Sequence, residues 1–299
     1  MLINVVPSAP APNSTVYLQA QSSSFDIDSA YITWTVNGQV FAQGTGDKNI
    51  SVPTGPLGSP MQITVNATTQ NSGVFSASTA INPSSIGLIW EADTYTPPFY
   101  QGKTMRAWGA SYKVVAVPEV ALNGVLAKPD SLVYKWSKNN SVDGDVSGYG
   151  KYVYQGDNSI SYTRGGDDIS VTVSTSDGTV VGESSITVPV TQAAILIYED
   201  NPLYGVLYNQ ALDTETLSGD SISLRAEPFF FSLPTVATQS LVWTLNGNAV
   251  PDFDGSPSIT FARQNKTAGQ AVVEASLQSP FALLQGAQKS VTINIDAEP

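Results

Sequence analysis

Three segments of the chain repeat one pattern: an alternating apolar strand centred on Trp and closed by an Asn-rich turn. They are Ile32-Thr-Trp34-Thr-Val-Asn37-Gly38, Leu132-Val-Tyr-Lys-Trp136-Ser-Lys-Asn139-Asn140 and Leu241-Val-Trp243-Thr-Leu-Asn246-Gly247. The tryptophans lie 136 − 34 = 102 and 243 − 136 = 107 residues apart. A period of about a hundred residues is the size of one small β-sandwich, so the pattern predicts three tandem copies of one domain.

Alternation of apolar and polar residues continues along the rest of the chain, as in Val16/Leu18/Ala20, Ile169/Val171/Val173 and Val291/Ile293/Ile295. This period of two is typical of half-buried strands in antiparallel sheets. No window shows an apolar stripe at helical spacing, and Gly, Pro, Asn and Asp interrupt the chain too often for long helices. We therefore predict an all-β chain of three tandem Ig-like antiparallel β-sandwich domains arranged end to end.

A hairpin pattern closes each copy and predicts the domain boundaries: Ig-like domain 1 at residues 1–84, domain 2 at 85–192 and domain 3 at 193–299. The connections between copies are short and lack Gly/Ser runs, which indicates limited freedom between neighbours. The expected shape is a semi-rigid rod.

Domains 2 and 3 share an opening segment that domain 1 lacks. It reads Leu88-Ile-Trp90-Glu91…Pro97-Pro98-Phe99-Tyr100 in one and Leu196-Ile-Tyr198-Glu199…Pro202-Leu203-Tyr204…Tyr208 in the other, and the two align without a gap. Because only domains that follow another domain carry this segment, we expect it to build the junction with the preceding domain. Deleting domain 1 should then expose Trp90, Phe99 and Tyr100.

Composition excludes several chemistries. The chain has no His and no Cys, which removes imidazole bases, thiol nucleophiles, Ser-His-Asp triads, Cys/His zinc sites and disulfides. A net charge of −12 disfavours nucleic acid and anionic membranes, which are bound by basic patches. Charged residues are only 13% of the chain, a composition typical of extracellular β-proteins.

The N-terminus lacks a basic lead and has too short an apolar run for a signal peptide, and no apolar run is long enough to span a membrane. Since Met1 directly precedes a strand pattern, we expect an expressed fragment or a processed form of a longer protein. The expected location is extracellular or at the cell surface, with no direct membrane insertion of this fragment.

The Trp strand, the Asn-Gly turn after it and the closing hairpin resemble the immunoglobulin-like and PKD-like repeats of bacterial surface proteins. A PKD module usually carries a Gly-Asp-Gly-type turn where this chain has Val36-Asn37-Gly38 and Leu245-Asn246-Gly247. The segments Leu88-Ile-Trp90-Glu91-Ala92…Pro97-Pro98-Phe99-Tyr100 and Ser147-Gly148-Tyr149-Gly150-Lys151 are similar to uncharacterised multi-domain envelope proteins of ultra-small candidate-phylum bacteria. These resemblances imply a location in the cell envelope and no known activity.

Candidate sites follow from residue types. Trp34, Trp136 and Trp243 have apolar i±2 neighbours, which predicts inward-facing core residues. Calcium prefers clustered carboxylates, so Glu91, Asp93, Glu199 and Asp200 are calcium candidates, although no full Asp-x-Asp-x-Asp-Gly loop occurs and the leading expectation is no cofactor. The candidate contact residues for a partner or a sugar are Phe229, Phe230, Phe231, Tyr95, Phe99 and Tyr100.

Catalysis is disfavoured because three similar small domains without a large insertion leave little room for a cleft. The leading hypothesis is a non-catalytic structural component of the cell surface, a semi-rigid Ig-like rod in an envelope, filament or S-layer-like assembly. Its partners would be other surface proteins or copies of itself. The alternative is an adhesin-type binding module for a glycan or protein on another cell, and a third hypothesis is an accessory domain set of a larger hydrolase.

Overall fold

The computed structural model describes residues 1–70, 73–122, 124–157, 165–238, 240–263, 267–280 and 285–297. These residues fold almost entirely into strands. The helical elements among them are one short α-helix, α1 (Leu233–Thr238), and two 3₁₀ turns, Pro129–Ser131 and Pro251–Phe253. The prediction of an all-β chain with antiparallel sheets is confirmed.

Residues 1–84 form two antiparallel sheets. Their strands are β1 (Leu2–Val6), β2 (Thr15–Gln21), β3 (Tyr31–Val36), β4 (Gln39–Thr45), β5 (Asn49–Pro53), β6 (Met61–Thr69) and β7 (Gly73–Ile81). One sheet has the order β1-β2-β5 and the other β4-β3-β6-β7. Alternate residues of both sheets, among them Leu18, Ile32 and Val65, are buried in one core around Trp34.

The described residues between 85 and 192 form two principal sheets and two short strand pairs. Their strands are β8 (Ser85–Ala92), β9 (Arg106–Ala107), β10 (Tyr112–Glu119), β11 (Ala121–Leu122), β12 (Val125–Leu126), β13 (Val133–Lys138), β14 (Ser141–Tyr149), β15 (Val153–Gly156), β16 (Asp167–Ser174), β17 (Val180–Val188) and β18 (Val190–Thr191). The sheet orders are β15-β10-β8 and β14-β13-β16-β17. Strand β9 pairs with β18, in parallel, and β11 with β12.

The described residues from 193 onwards form two further sheets. Their strands are β19 (Ala194–Asn201), β20 (Gly205–Val206), β21 (Thr214–Leu217), β22 (Ser221–Phe229), β23 (Val242–Leu245), β24 (Asn248–Ala249), β25 (Ser258–Ala262), β26 (Gly269–Gln278) and β27 (Gly286–Ile295). The orders are β20-β19-β22-β25 and β21-β27-β26-β23-β24. Trp243 lies in a core with Ile197, Leu224 and Val273.

The three core tryptophans share a hydrogen bond as well as a position. Each is fully buried, and each indole Nε1 donates to a backbone carbonyl 13 to 15 residues later in the chain. The acceptors are the carbonyl oxygens of Asp47 at 2.8 Å, Lys151 at 2.8 Å and Ser256 at 2.9 Å. A buried indole N–H needs such a partner, so this bond completes the core in each repeat.

The Asn after each Trp makes a second repeated contact. Asn37, Asn139 and Asn246 have φ values of 51°, 50° and 50°, a left-handed conformation that Asn tolerates better than most residues. The side-chain Oδ1 of each accepts the backbone N–H of a residue on the facing strand, at 2.8 to 2.9 Å. Its own N–H donates to the carbonyl of the same residue, so each turn is clamped to β6, β16 or β26 from both sides.

Two compact units divide the chain: Met1–Ile89 with Val114–Tyr154 and Asp168–Ile186, and Trp90–Lys113 with Gln155–Asp167 and Thr187–Pro299. The domain boundaries at residues 84/85 and 192/193 stay a prediction. Among the described residues, no helix has the length and apolar character needed to cross a membrane.

Candidate functional site

Five of the six predicted contact residues come together in the second unit. Phe99, Tyr100, Phe229 and Phe230 lie there with two further tyrosines, and the six rings form what we call the aromatic cluster: Phe99, Tyr100, Tyr198, Tyr208, Phe229 and Phe230. Tyr95 joins them through backbone hydrogen bonds to Phe230 and Phe231. The segment after β8 supplies two of the rings, and strands β19, β22 and the residues following β20 and β22 supply the others.

Phe99 contacts three other rings of the cluster. Its ring stacks on Tyr208 with centroids 3.8 Å apart and planes at 20°. It also meets the edge of Tyr198 at 5.7 Å and Phe229 at 6.2 Å. Tyr100 adds edge contacts at 5.7 Å to both Phe229 and Phe230. Offset and edge-to-face contacts of this kind stabilise by about 0.5–1.5 kcal/mol each beyond the burial of area, so the cluster fastens the segment after β8 to the β19–β22 sheet.

Backbone hydrogen bonds hold the same segment at its start. The N–H of Tyr95 donates to the carbonyl of Phe231, and the N–H of Phe230 donates to the carbonyl of Tyr95, both at 2.7 Å. Phe230 has a φ of 62°, a conformation that costs a bulky L-residue about 1–2 kcal/mol. The two bonds to Tyr95 help to offset that cost.

The left-handed backbone conformation of Phe230 decides where the side chains of Phe229, Phe230 and Phe231 point. Phe229 is buried under Phe99 and Tyr100, and Phe231 is buried in the core with Trp243. Phe230 is half-buried. The triplet therefore offers one partly accessible ring to solvent, because two of its side chains already have partners within the chain.

A buried carboxylate lies beneath the cluster. Glu227 is 4% exposed. Its Oε1 accepts hydrogen bonds from the Nε of Arg225, at 2.5 Å, and from the hydroxyl of Tyr208, at 3.1 Å. The bond to Glu227 raises the pKa of Arg225. Burial, and then the charge of Glu227, raise the pKa of Tyr208, Tyr198 and Tyr95, so these phenols stay protonated well into alkaline conditions.

A polar network anchors a second point of the segment 90–113. Gln285 is fully buried, and its Nε2 donates to the carbonyl of Trp108 at 2.9 Å. Its Oε1 accepts the N–H of Ser232 at 2.9 Å and the hydroxyl of Thr235 at 3.1 Å. Buried amides are stable only when hydrogen-bonded, so this network specifies the position of Trp108.

The structure corrects the expected direction of the junction. The rings that cover Phe99 and Tyr100 belong to residues 198–230, which follow the segment in the chain. Trp90, which is 7% exposed, lies under the ammonium group of Lys103, 3.4 Å from its ring centroid. Deletion of residues 1–84 should therefore leave Phe99 and Tyr100 covered.

The first pair of calcium candidates lines a groove of about 220 Å³. Glu91 and Asp93 share it with Ser111, Tyr112, Lys113 and Gln155. The Lys113 ammonium lies 2.5 Å from a Glu91 oxygen, and this hydrogen bond raises the pKa of Lys113. A resident cation at Glu91 competes with calcium for the same carboxylate.

The second pair of calcium candidates has other partners. Glu199 accepts the side-chain N–H of Asn201 at 2.8 Å, and Asp200 lies 3.4 Å from the hydroxyl of Ser258. Within the described part of the chain, no three acidic residues are grouped so that they could hold a metal ion. Glu91, Asp93, Glu199 and Asp200 stay candidates for calcium, and the leading expectation stays no cofactor.

A buried ion pair lies elsewhere in the second unit. Arg106 and Asp167 are 1% and 0% exposed, with Nη1 and Oδ2 2.7 Å apart. The same oxygen accepts the hydroxyl of Tyr112 at 2.8 Å, and the Arg106 guanidinium lies 4.3 Å above the Tyr112 ring. These side chains are closed to solvent, so they contribute to the fold and cannot contact a substrate.

Sequence reasoning identified the aromatic residues of the site and missed the charged and polar residues that the structure buries beside them and elsewhere in the second unit. Glu227, Arg225, Arg106 and Gln285 were not among the predicted residues. A charged pair inside an alternating strand, as in Leu224-Arg225-Ala226-Glu227, is the signal that could have drawn attention to the first two. Arg106 and Gln285 lie outside any repeated pattern.

Comparison with known proteins gives likenesses only at the level of solved structures. No family model matches the chain, and no curated protein matches it. The chain is similar to the central fibronectin-III array of RIM-binding protein, with 12% identity, a TM-score of 0.31 and coverage of 97% of this chain and 98% of that one. It is also similar to fibronectin(III)-like modules of Clostridium thermocellum CbhA, with 10% identity, a TM-score of 0.29 and coverage of 64% and 94%.

A third similar structure is a part of a 1.5-MDa bacterial ice-binding adhesin, at 12% identity and a TM-score of 0.27, with coverage of 99% and 97%. These TM-scores are too low to support a conclusion about ligand or activity. The resemblances to PKD-like repeats and to envelope proteins of ultra-small bacteria stay predictions.

Proposed function

We propose that this protein is a non-catalytic structural component of the cell surface, a spacing element in an envelope, filament or S-layer-like assembly. The observation that supports the proposal best is the use of the aromatic cluster. Its rings pack on one another and fasten residues 94–105 to the β19–β22 sheet. Contacts of this type restrict motion, which suits a rigid spacing element.

Composition and the groups that are closed to solvent support the same proposal. The chain has neither His nor Cys, and among the described residues Arg106 is paired with Asp167 and the buried Glu227 with the partly exposed Arg225. Charges that are buried in ion pairs cannot reach a substrate. The chain is acidic, with a net charge of −12, and rich in Ser, Thr and Asn, as expected for a protein outside the cell.

Concentration-dependent assembly tests this function. Sedimentation velocity and negative-stain electron microscopy of the purified chain over a wide concentration range should show particles larger than the 31.6 kDa monomer. A chain that stays monomeric at the highest concentration and binds a glycan would contradict the structural role.

The adhesin alternative has its own supporting observation. Tyr149 is 65% exposed and Tyr152 is 38% exposed, and they flank Lys151 where the chain passes from β14 to β15. Exposed tyrosines next to a cation can stack on a sugar ring. A glycan array probed with the native chain and with Tyr149→Ala tests this role, which requires a signal that the substitution removes.

A further inference from the structure

The hairpin between β19 and β20 carries two exposed apolar side chains on an ordered tip. Leu203 is 84% exposed and Tyr204 is 79% exposed. The side chain of Asn201 accepts the N–H of Leu203 at 3.0 Å and the N–H of Tyr204 at 3.3 Å, and Gly205 supplies the positive φ that closes the turn. An apolar pair on a tip that is already ordered loses little conformational entropy on docking, which is typical of an interaction surface.

The chain already contains a docked segment of similar composition. Pro98-Phe99-Tyr100 has the same Pro–apolar–Tyr order as Pro202-Leu203-Tyr204, shifted by four residues relative to the gapless alignment of the two opening segments. In the first triplet, Phe99 and Tyr100 pack on the outer face of the β19–β22 sheet. The second triplet has the same chemistry and is exposed.

The outer face of the β19–β22 sheet, on which Phe99 and Tyr100 pack, has an uncovered counterpart in the first unit. Strands β1, β2 and β5 pair in the same way as β19, β22 and β25. Counted from the start of each opening strand, the outward pair Val6–Tyr17 corresponds to the outward pair Tyr198–Arg225. Phe99 covers Tyr198, whereas Val6 is 52% exposed and Tyr17 is 61% exposed.

This uncovered face carries an open, uncharged groove. Around Val6 and Tyr17 lies a groove of about 410 Å³. Its other lining residues include Asn4, Gln19, Asn49 and Ser51, all of them uncharged. A volume of this size lies within the range of about 300–1,000 Å³ that binding pockets occupy.

We propose that Leu203 and Tyr204 of one copy insert into the groove at Val6 and Tyr17 of a second copy. The inference rests on the proposed structural function and names its partner. Since donor and acceptor are different surfaces of one chain, the contact is heterologous and generates rings or open filaments. Two side chains bury a small area, so the contact between two copies is weak and association requires a high protein concentration.

The net negative charge of the chain predicts that association between copies depends on salt. Copies with a net charge of −12 repel one another at low ionic strength, and salt screens this repulsion while leaving the apolar contact intact. Sedimentation velocity should therefore show stronger association in high salt than in low salt.

The test uses four variants of the full chain. Leu203→Ser with Tyr204→Ser removes the donor, and Val6→Ser with Tyr17→Ser removes the acceptor. Each double variant should lower the association constant at least about tenfold, because each removes two apolar side chains from the contact. Leu126→Ser and Tyr31→Ser, at positions that are 62% and 46% exposed, are the matched controls and should associate like the native chain.

Mixing gives the decisive measurement. A donor-defective chain still has its groove, and an acceptor-defective chain still has its tip, so their equimolar mixture should form dimers and nothing longer. Unchanged association in both double variants would overturn this contact while leaving the structural function in place. A native chain that remains monomeric in high salt and binds a glycan would overturn both, and assembly of the native chain without dimers in the mixture would overturn the contact alone.

Discussion

Phe99 stacks on Tyr208 at a centroid distance of 3.8 Å, although 109 residues separate them in the sequence. The contact joins the segment that follows β8 to the residues that follow β20. It belongs to the aromatic cluster, whose rings lie over the paired charges of Arg225 and Glu227.

Phe99→Ala should loosen the segment around it. The substitution removes one stacked and two edge contacts of a half-buried ring, so we expect a loss of about 2–3 kcal/mol. Hydrogen exchange at the Tyr95 and Phe230 amides should accelerate accordingly. Phe41→Ala, at a ring that is 46% exposed, is the control and should cost within about 0.5 kcal/mol. Equal protection in Phe99→Ala and the native chain would contradict a fastening role.

Asn246→Gly should remove the side-chain hydrogen bond of the turn while keeping the backbone conformation of the turn. Gly adopts the φ of 50° without strain but has no side-chain oxygen for the N–H of Val272, so we expect a loss of about 1 kcal/mol in denaturant unfolding. Asn246→Asp keeps an acceptor oxygen and should lose less. If the Gly variant is as stable as the native chain, the clamp contributes nothing beyond the turn.

Arg106→Ala leaves the fully buried carboxylate of Asp167 without its cation. Breaking one partner of a buried pair costs about 3–5 kcal/mol, so the thermal midpoint should fall by several degrees. The double variant Arg106→Met with Asp167→Leu removes both charges and should be more stable than Arg106→Ala. A double variant that is less stable than the single one would show that the pair is favourable in itself.

Alkaline pH should destabilise the fold through Tyr134. Burial first, and then the neighbouring Tyr152 and Asp130, raise the pKa of Tyr134 to about 12. In the unfolded chain this phenol ionises near 10, so its contribution to stability is complete below about pH 10 and is lost as the pH rises towards 12. Unfolding measured from pH 9 to 12 should show a shallower decline in Tyr134→Phe. Equal slopes would contradict the assignment.

Calcium should leave the protein unchanged. Glu91 is paired with Lys113, and Glu199 accepts a bond from Asn201, so we expect the same melting temperature in EDTA and in millimolar calcium. A rise with calcium that Asp93→Asn or Asp200→Asn abolishes would identify a site at that pair.

Local pattern was enough to predict the strands and the orientation of the tryptophans. In a sheet, alternate side chains face one side, so apolar i±2 neighbours around Trp34, Trp136 and Trp243 indicate an inward face without knowledge of the partner strands. The Asn after each Trp was predicted as a turn residue for the same local reason. Its clamp to the facing strand was not, because the acceptor oxygen of Asn37 meets the N–H of Gln62, a residue distant in sequence.

By itself, the sequence determined which residues of a strand share a face, the repeat and the absence of thiol and imidazole chemistry, since these depend on residue type and spacing alone. Tertiary structure alone decided which aromatic rings meet. Phe99 turns towards the residues that follow it, Phe230 takes a left-handed conformation and Glu227 is covered. Each of these outcomes is set by packing and hydrogen bonds between segments far apart in the chain, whose energies no local pattern records.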